Sequence, residues 1–195
     1  MGTEPLNHRV RLLGLLPLAF FLAQAAHYSQ IHQLGHLLWM CNVGNVLLAV
    51  GLLFDRPLMI RVAFIWSLPG LLIWFRYVFA DWFHYETLDW WAVVSSTLAH
   101  IGGLTVGLVA IRRVRMDQHS WIYSFVWYLV VQAISRIVTA PELNVNVSHA
   151  IYPGWQGTFD SYWKFWFVLT IAVAGSLWVL TWFLNRLWPC LKPLP

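Results

Sequence analysis

Six stretches of nearly unbroken apolar residues, separated by polar breaks, dominate the chain: 12–26, 36–54, 58–79, 90–111, 120–140 and 162–184. None shows the period-two alternation of a membrane strand, and most approach the roughly 20 residues a helix needs to cross about 30 Å of hydrocarbon. Backbone amides in lipid must bond within their own segment, so such runs predict helices. The expected fold is all-α: a polytopic integral membrane helical bundle of six transmembrane helices, forming a single transmembrane domain over residues 1–195.

The breaks carry their own signals. Asp55-Arg56-Pro57 reads as a tight turn, because Pro57 restricts its predecessor and pre-sets the first turn of the next helix. Arg112, Arg113, Arg115 and Asp117 form another polar break. The longest connection, 141–161, holds Asn144, Asn146, Ser148, His149, Pro153-Gly154 and Asp160, and reads as an ordered or re-entrant loop that folds over a pocket as a lid. Pro69-Gly70 predicts a bend inside the third run, since Pro69 has no amide hydrogen. Arg9 and Arg11 before the first run and Ala23-Gln24-Ala25 at its end have the pattern of a secretory signal, although the expectation is that this segment is retained as a span.

Composition supports the membrane. Of 195 residues only 10% are charged and 59% are hydrophobic, with 14 Trp and 12 Phe, where a soluble domain is roughly 25% charged. Disorder, a coiled coil and a water-soluble globule are excluded on that count. The net charge of +4 does not mark a nucleic-acid binder, because the basic residues sit at the ends of apolar runs and form no stripe. Instead they sort by side. Arg9, Arg11, Arg56, Arg61, Arg112, Arg113, Arg115, Arg186 and Lys192 fall on one face, and the connections 26–35, 80–89 and 141–161 contain no Lys or Arg. The positive-inside bias places both termini in the cytoplasm, and in a bacterium the membrane would be the plasma (inner) membrane. Cys41 and Cys190 are too few for a disulfide framework.

Ionisable groups collect on the opposite side. His27, His32, His36, His84 and His149 lie there with Asp81, Glu86, Asp89, Glu142 and Asp160, while His100 falls near mid-span. Such residues in or beside a bilayer face one another or water, which predicts a polar pocket in that half. His32 and His36 are i,i+4 neighbours if the helix starts early enough. With His84, His100 and His149 they make a candidate ligand set for haem or another metal, the bland alternative being histidines snorkelling at the headgroups. Cys41, Asn42 and Asn45 lie just inside the second run, as helix-to-helix glue or as a site holding a substrate carbonyl beside a thiol. Ser96 and His100 form a possible serine–histidine pair, and Gly102-Gly103 beside them allow close helix approach. Asn146-Val147-Ser148 matches a glycosylation sequon. Trp82, Trp90, Trp91, Trp163 and Trp166 read as interfacial belts.

No Walker loop, dinucleotide fingerprint, zinc-protease motif or nucleophile elbow is present. With no soluble domain, the substrate would be a lipid, quinone, small solute or ion, and no cofactor is specified. The elements Met40-Cys41-Asn42 and Leu98-Ala99-His100, with the polar stretch from Asn146 to Pro153, resemble those of the six-span cysteine/histidine intramembrane glycerophospholipid acyltransferases. The family's usual Leu before the cysteine is replaced here by Met40, and His32, His36 and His84 have no counterpart. The resemblance implies acyl transfer between phospholipids. His100 would act as base on Cys41, the thiolate would take a fatty acyl group, and Asn42 or Asn45 would donate to the oxyanion. One geometric difficulty accompanies it: counted from their span edges, Cys41 and His100 differ in depth by roughly 7 Å. Two competing readings remain, a haem- or metal-binding redox protein and a non-catalytic carrier or subunit with a membrane-protein partner.

Overall fold

The computed structural model describes residues 5–82 and 89–189. Its regular elements are helical: α1 (His8–Leu12), α2 (Leu15–Gln30), α3 (Met40–Leu53), α4 (Pro57–Trp82), α5 (Trp90–Thr97), α6 (Gly103–Val114), α7 (Ser120–Val138) and α8 (Tyr162–Leu187). A π-helical turn, Leu98–Gly102, joins α5 to α6 in one rod. Helix α4 runs through Pro69 without interruption.

Among the described residues, five helical segments are long and apolar enough to cross a membrane: His8–Gln30, Pro57–Arg76, Trp90–Val114, Ser120–Val138 and Tyr162–Leu187. The expected second span is shorter than the apolar run that predicted it. Residues Leu34–Leu38 form a 3-10 turn and Trp39 is extended, so α3 starts only at Met40. Its 14 residues rise about 21 Å, some two thirds of a hydrocarbon core. The run was apolar enough for a span, but part of it is spent on a turn. Asn42 fastens that turn to α3, its amide nitrogen donating to the His36 carbonyl at 3.0 Å.

The two ends of the bundle differ in chemistry. At one end the Leu6 amide donates to Asp55 (3.2 Å), Arg11 donates to the Leu53 carbonyl (2.7 Å), Arg61 donates to the Arg115 carbonyl (2.8 Å), and the Met116 amide donates to the Trp188 carbonyl (2.7 Å). The basic breaks thus share one end. An apolar core of Leu48, Leu52, Ile60, Phe64, Ile65, Ile111 and Val114 fills the adjoining half. Gly51 lets α3 and α4 close there, since a Cβ would stand 2.8 Å from Ile60 Cγ1. Most buried polar residues lie toward the other end, among them Gln24, His27, Asn42, Asn45, Ser95, Gln132, Ser135 and Asn146.

The outer surface is inverted relative to a soluble protein. Leu72 is 71% exposed, Ile137 81%, Trp163 61% and Phe167 60%. Contiguous apolar surface of this kind is stable only in lipid. The protein is a multi-pass integral membrane helix bundle.

Candidate functional site

Helix α3 delivers Cys41, Asn42 and Asn45 to the polar half, and its late start decides their depth. Measured from the basic end, Cys41 lies about 18 Å along α3 before Leu53, and His100 about 21 Å along its rod before Val114. Counted from this end the two differ by only about 3 Å, against the roughly 7 Å counted from the opposite span edges. Cys41, Asn45 and His100 line one cavity, together with Gly44, Leu48, Ala63, Ser67, Ala99 and Gly103. The cavity measures about 10 Å³, the space of a single water-sized sphere.

His100 is held on three sides. It sits in the π-turn, a local widening of a helix that shifts the register of the residues it carries. Its Nδ1 lies 2.8 Å from the Ser96 carbonyl, which only accepts, so Nδ1 carries the proton and Nε2 keeps a lone pair. The ring stacks on Trp74 at 5.4 Å, and Trp74 Nε1 donates to the Ser96 hydroxyl at 2.8 Å. The serine–histidine pair drawn from the sequence is therefore made through the Ser96 backbone, while its hydroxyl serves the tryptophan. Trp74 went unnoticed in the sequence because an aromatic residue on an apolar helix has no distinguishing signal. Gly102-Gly103 beside His100 did carry one.

Asn45 donates to the Cys41 carbonyl (3.0 Å) and the Ala99 carbonyl (2.9 Å), pinning α3 to the π-turn. Both amide hydrogens are thereby spent, and the Asn45 Oδ1 is buried without a partner. Asn42 has spent one amide hydrogen on His36, and its Oδ1 is likewise without a hydrogen bond. Tyr28, on α2, faces Asn42 and Cys41 and was not anticipated.

The outer histidines are dispersed. His32 has a left-handed backbone (φ 55°) beyond the end of α2, so it shares no helical face with His36, contrary to the i,i+4 expectation. His36 lies in the 3-10 turn with both ring nitrogens engaged, by Trp39 Nε1 at 2.9 Å and Gln33 Oε1 at 3.0 Å. His149 Nε2 meets the Thr139 hydroxyl at 3.2 Å, and His27 faces Asp89 at 3.7 Å. His84 lies outside the described residues, as do Glu86 and Cys190. Among the described residues no three His, Cys, Asp or Glu side chains come together to hold a metal ion.

The long connection is packed down over its inner part. Asn146 (φ 52°) donates to the Leu38 carbonyl at 2.7 Å and to Ser135 Oγ at 3.1 Å, and accepts from the Met40 amide at 3.3 Å. Arg136 donates to the Ser148 carbonyl and lies over the Tyr162 and Trp163 rings, each at 5.0 Å. The Tyr162 hydroxyl adds a bond to the Ser148 carbonyl at 2.7 Å. Asn146 is 7% exposed with its amide committed, which closes the sequon to a glycan in the folded protein.

This arrangement defines a class, a polytopic helix bundle with a cysteine and a histidine at one buried cavity. No protein-family model, curated protein or solved structure matches the chain.

Proposed function

We propose that this protein is an intramembrane enzyme that moves a fatty acyl group between phospholipids, with Cys41 as nucleophile and His100 as base. The observation that supports it is that these two residues, far apart in sequence, line one cavity. The tautomer adds to it, because a base needs the lone pair that His100 Nε2 retains. No hydrogen bond joins the thiol to the imidazole in this conformation, a looseness that catalytic pairs commonly show before substrate arrives.

In this reading His100 Nε2 takes the thiol proton as Cys41 Sγ attacks an ester carbonyl of a phospholipid. The ester C–O bond breaks, the departing lysophospholipid oxygen takes the proton from His100, and a thioester remains on Cys41. A second lysophospholipid hydroxyl gives its proton to His100 and attacks the thioester, the C–S bond breaks, and the departing Cys41 sulfur takes that proton back from His100. Of the two asparagines only Asn45 lines the cavity, and Asn42 faces Tyr28 and the His36 carbonyl, so either one gives up a present contact when it donates to the oxyanion. The cavity holds no more than a water, so the acyl chain must part the helices around it. Trp74 acts as a positioning residue for His100.

The chain passes six times between its two ends in this reading, with the basic end and both termini in the cytoplasm. Among the described residues the outer histidines offer no grouping comparable to the cavity, so the redox reading has less to stand on.

The test is incubation of the purified protein in lipid nanodiscs with isotopically labelled phospholipid donors and lysophospholipid acceptors. Wild-type protein should carry a hydroxylamine-sensitive acyl group on Cys41 and produce exchanged phospholipid. Cys41→Ala should abolish both, and His100→Ala should slow exchange by about 10²-fold or more. Unchanged exchange in the two variants would discard the mechanism.

A further inference from the structure

Besides Cys41, three polar residues line the cavity, and each has spent the hydrogens it had to give. Asn45 uses both amide hydrogens on the Cys41 and Ala99 carbonyls, His100 uses its Nδ1 hydrogen on the Ser96 carbonyl, and the Ser67 hydroxyl donates to the Phe64 carbonyl at 2.8 Å. What remains on them is lone pairs, at Asn45 Oδ1, His100 Nε2 and Ser67 Oγ. Of these, Asn45 is 4% exposed and its oxygen is wholly unpartnered. A buried carbonyl oxygen without a donor is costly, so the site is built for something that brings hydrogens. The space, about 10 Å³, admits one water and nothing larger. Gly103 keeps the approach open, since a Cβ there would stand 2.5 Å from Asn45 Oδ1.

Resting on the acyl-transfer reading above, we propose that the cavity holds a water molecule between Asn45 and His100, and that this water is an acyl acceptor for the Cys41 thioester. Two hydrogens serve two of the three lone pairs, and the water oxygen can accept from the resting Cys41 thiol. A water with two to four polar partners is the ordinary occupant of such a space. With an acyl group on Cys41 Sγ, the water oxygen attacks the thioester carbonyl carbon and its proton passes to His100 Nε2. The C–S bond then breaks, and the departing Cys41 sulfur takes that proton back. One phospholipid ester and one water become a lysophospholipid and a free fatty acid, with no change of oxidation state. The protein is then a lipid acyl hydrolase whenever no lysophospholipid competes.

The experiment uses the full chain in nanodiscs of acyl-labelled phosphatidylcholine, without lysophospholipid, in water enriched in oxygen-18. Two quantities are read: the hydroxylamine-sensitive acyl group on Cys41 by intact mass, and oxygen-18 in the released fatty acid, with Cys41→Ala as background. The expected result is one labelled oxygen per fatty acid over many turnovers. Gly103→Ala, which crowds Asn45 Oδ1, should lower release by roughly tenfold or more relative to acylation. A thioester that forms and persists without labelled fatty acid overturns the water acceptor and leaves acyl transfer standing. Absence of any thioester removes the acyl-transfer reading, and this inference falls with it. The wild-type measurement decides by itself if Gly103→Ala does not fold.

Discussion

His36 shows how one proton is placed by its neighbours. The Trp39 indole can only donate, so His36 Nδ1 must accept, and its Nε2–H then donates to Gln33. A second proton would land on Nδ1 and face the indole N–H. Burial acts in the same direction, holding the imidazole below its usual value near 6.5. The unfolded chain therefore takes up this proton more readily than the folded one. The stabilisation from neutral His36 is complete above about pH 6.5 and is lost as pH falls through the lower, folded-state value. Thermal unfolding at pH 8 and pH 5 should show a larger drop for wild-type protein than for His36→Gln. Equal drops would mean that the Trp39 bond is not maintained.

At the scale of elements, the turn before α3 and the connection after α7 are one assembly. Asn146 joins them through the Leu38 carbonyl and the Met40 amide, one residue ahead of Cys41, in a left-handed conformation that asparagine tolerates well. Asn146→Ala strands those buried groups and should cost about 2–3 kcal/mol. Asn144→Ala also removes hydrogen bonds, to Ala150 and from His149, but at a half-buried position that water reaches more easily than Asn146, so the loss should be smaller. Unfolding of the two variants in detergent checks the order, and an Asn146→Ala protein as stable as wild type would show that the connection is not anchored there. The sequence marked 141–161 as ordered from its Asn, Pro and Gly content. It gave no means of choosing Leu38 and Met40 as the partners, because backbone groups more than 100 residues away leave no trace in local composition. The 3-10 turn at Leu34–Leu38 was hidden for a related reason: an apolar turn and an apolar helix look alike when only hydropathy is counted.

For the whole molecule, the proposed sidedness rests on charge. Arg9, Arg11, Arg56, Arg61, Arg112, Arg113, Arg115 and Arg186 belong to the breaks gathered at one end, and the connections at the other end lack Lys and Arg. Single cysteines introduced at Gln118 and Gln156 in a Cys41→Ala, Cys190→Ala background should react with an impermeant maleimide from opposite sides of the membrane, Gln156 from outside. Labelling of both from the same side would break the six-pass arrangement, and with it the shared end of α3 and the α5–α6 rod.

Composition and apolar run length were enough to determine the solvent, the helical class, most span positions and the separation of basic from histidine-rich ends. Those properties are sums over many residues and survive local errors. The meeting of Cys41 with His100 was visible only as two polar residues in two apolar runs. Whether they met depended on where α3 begins, on the π-turn that carries His100, and on Trp74 and Asn45 as supports. Each of these depends on packing between segments distant in sequence: a turn that shortens one helix, a widened turn in another, and hydrogen bonds whose partners are chosen by proximity. Hydropathy placed the helices in the bilayer, and the tertiary contacts set their depth relative to one another.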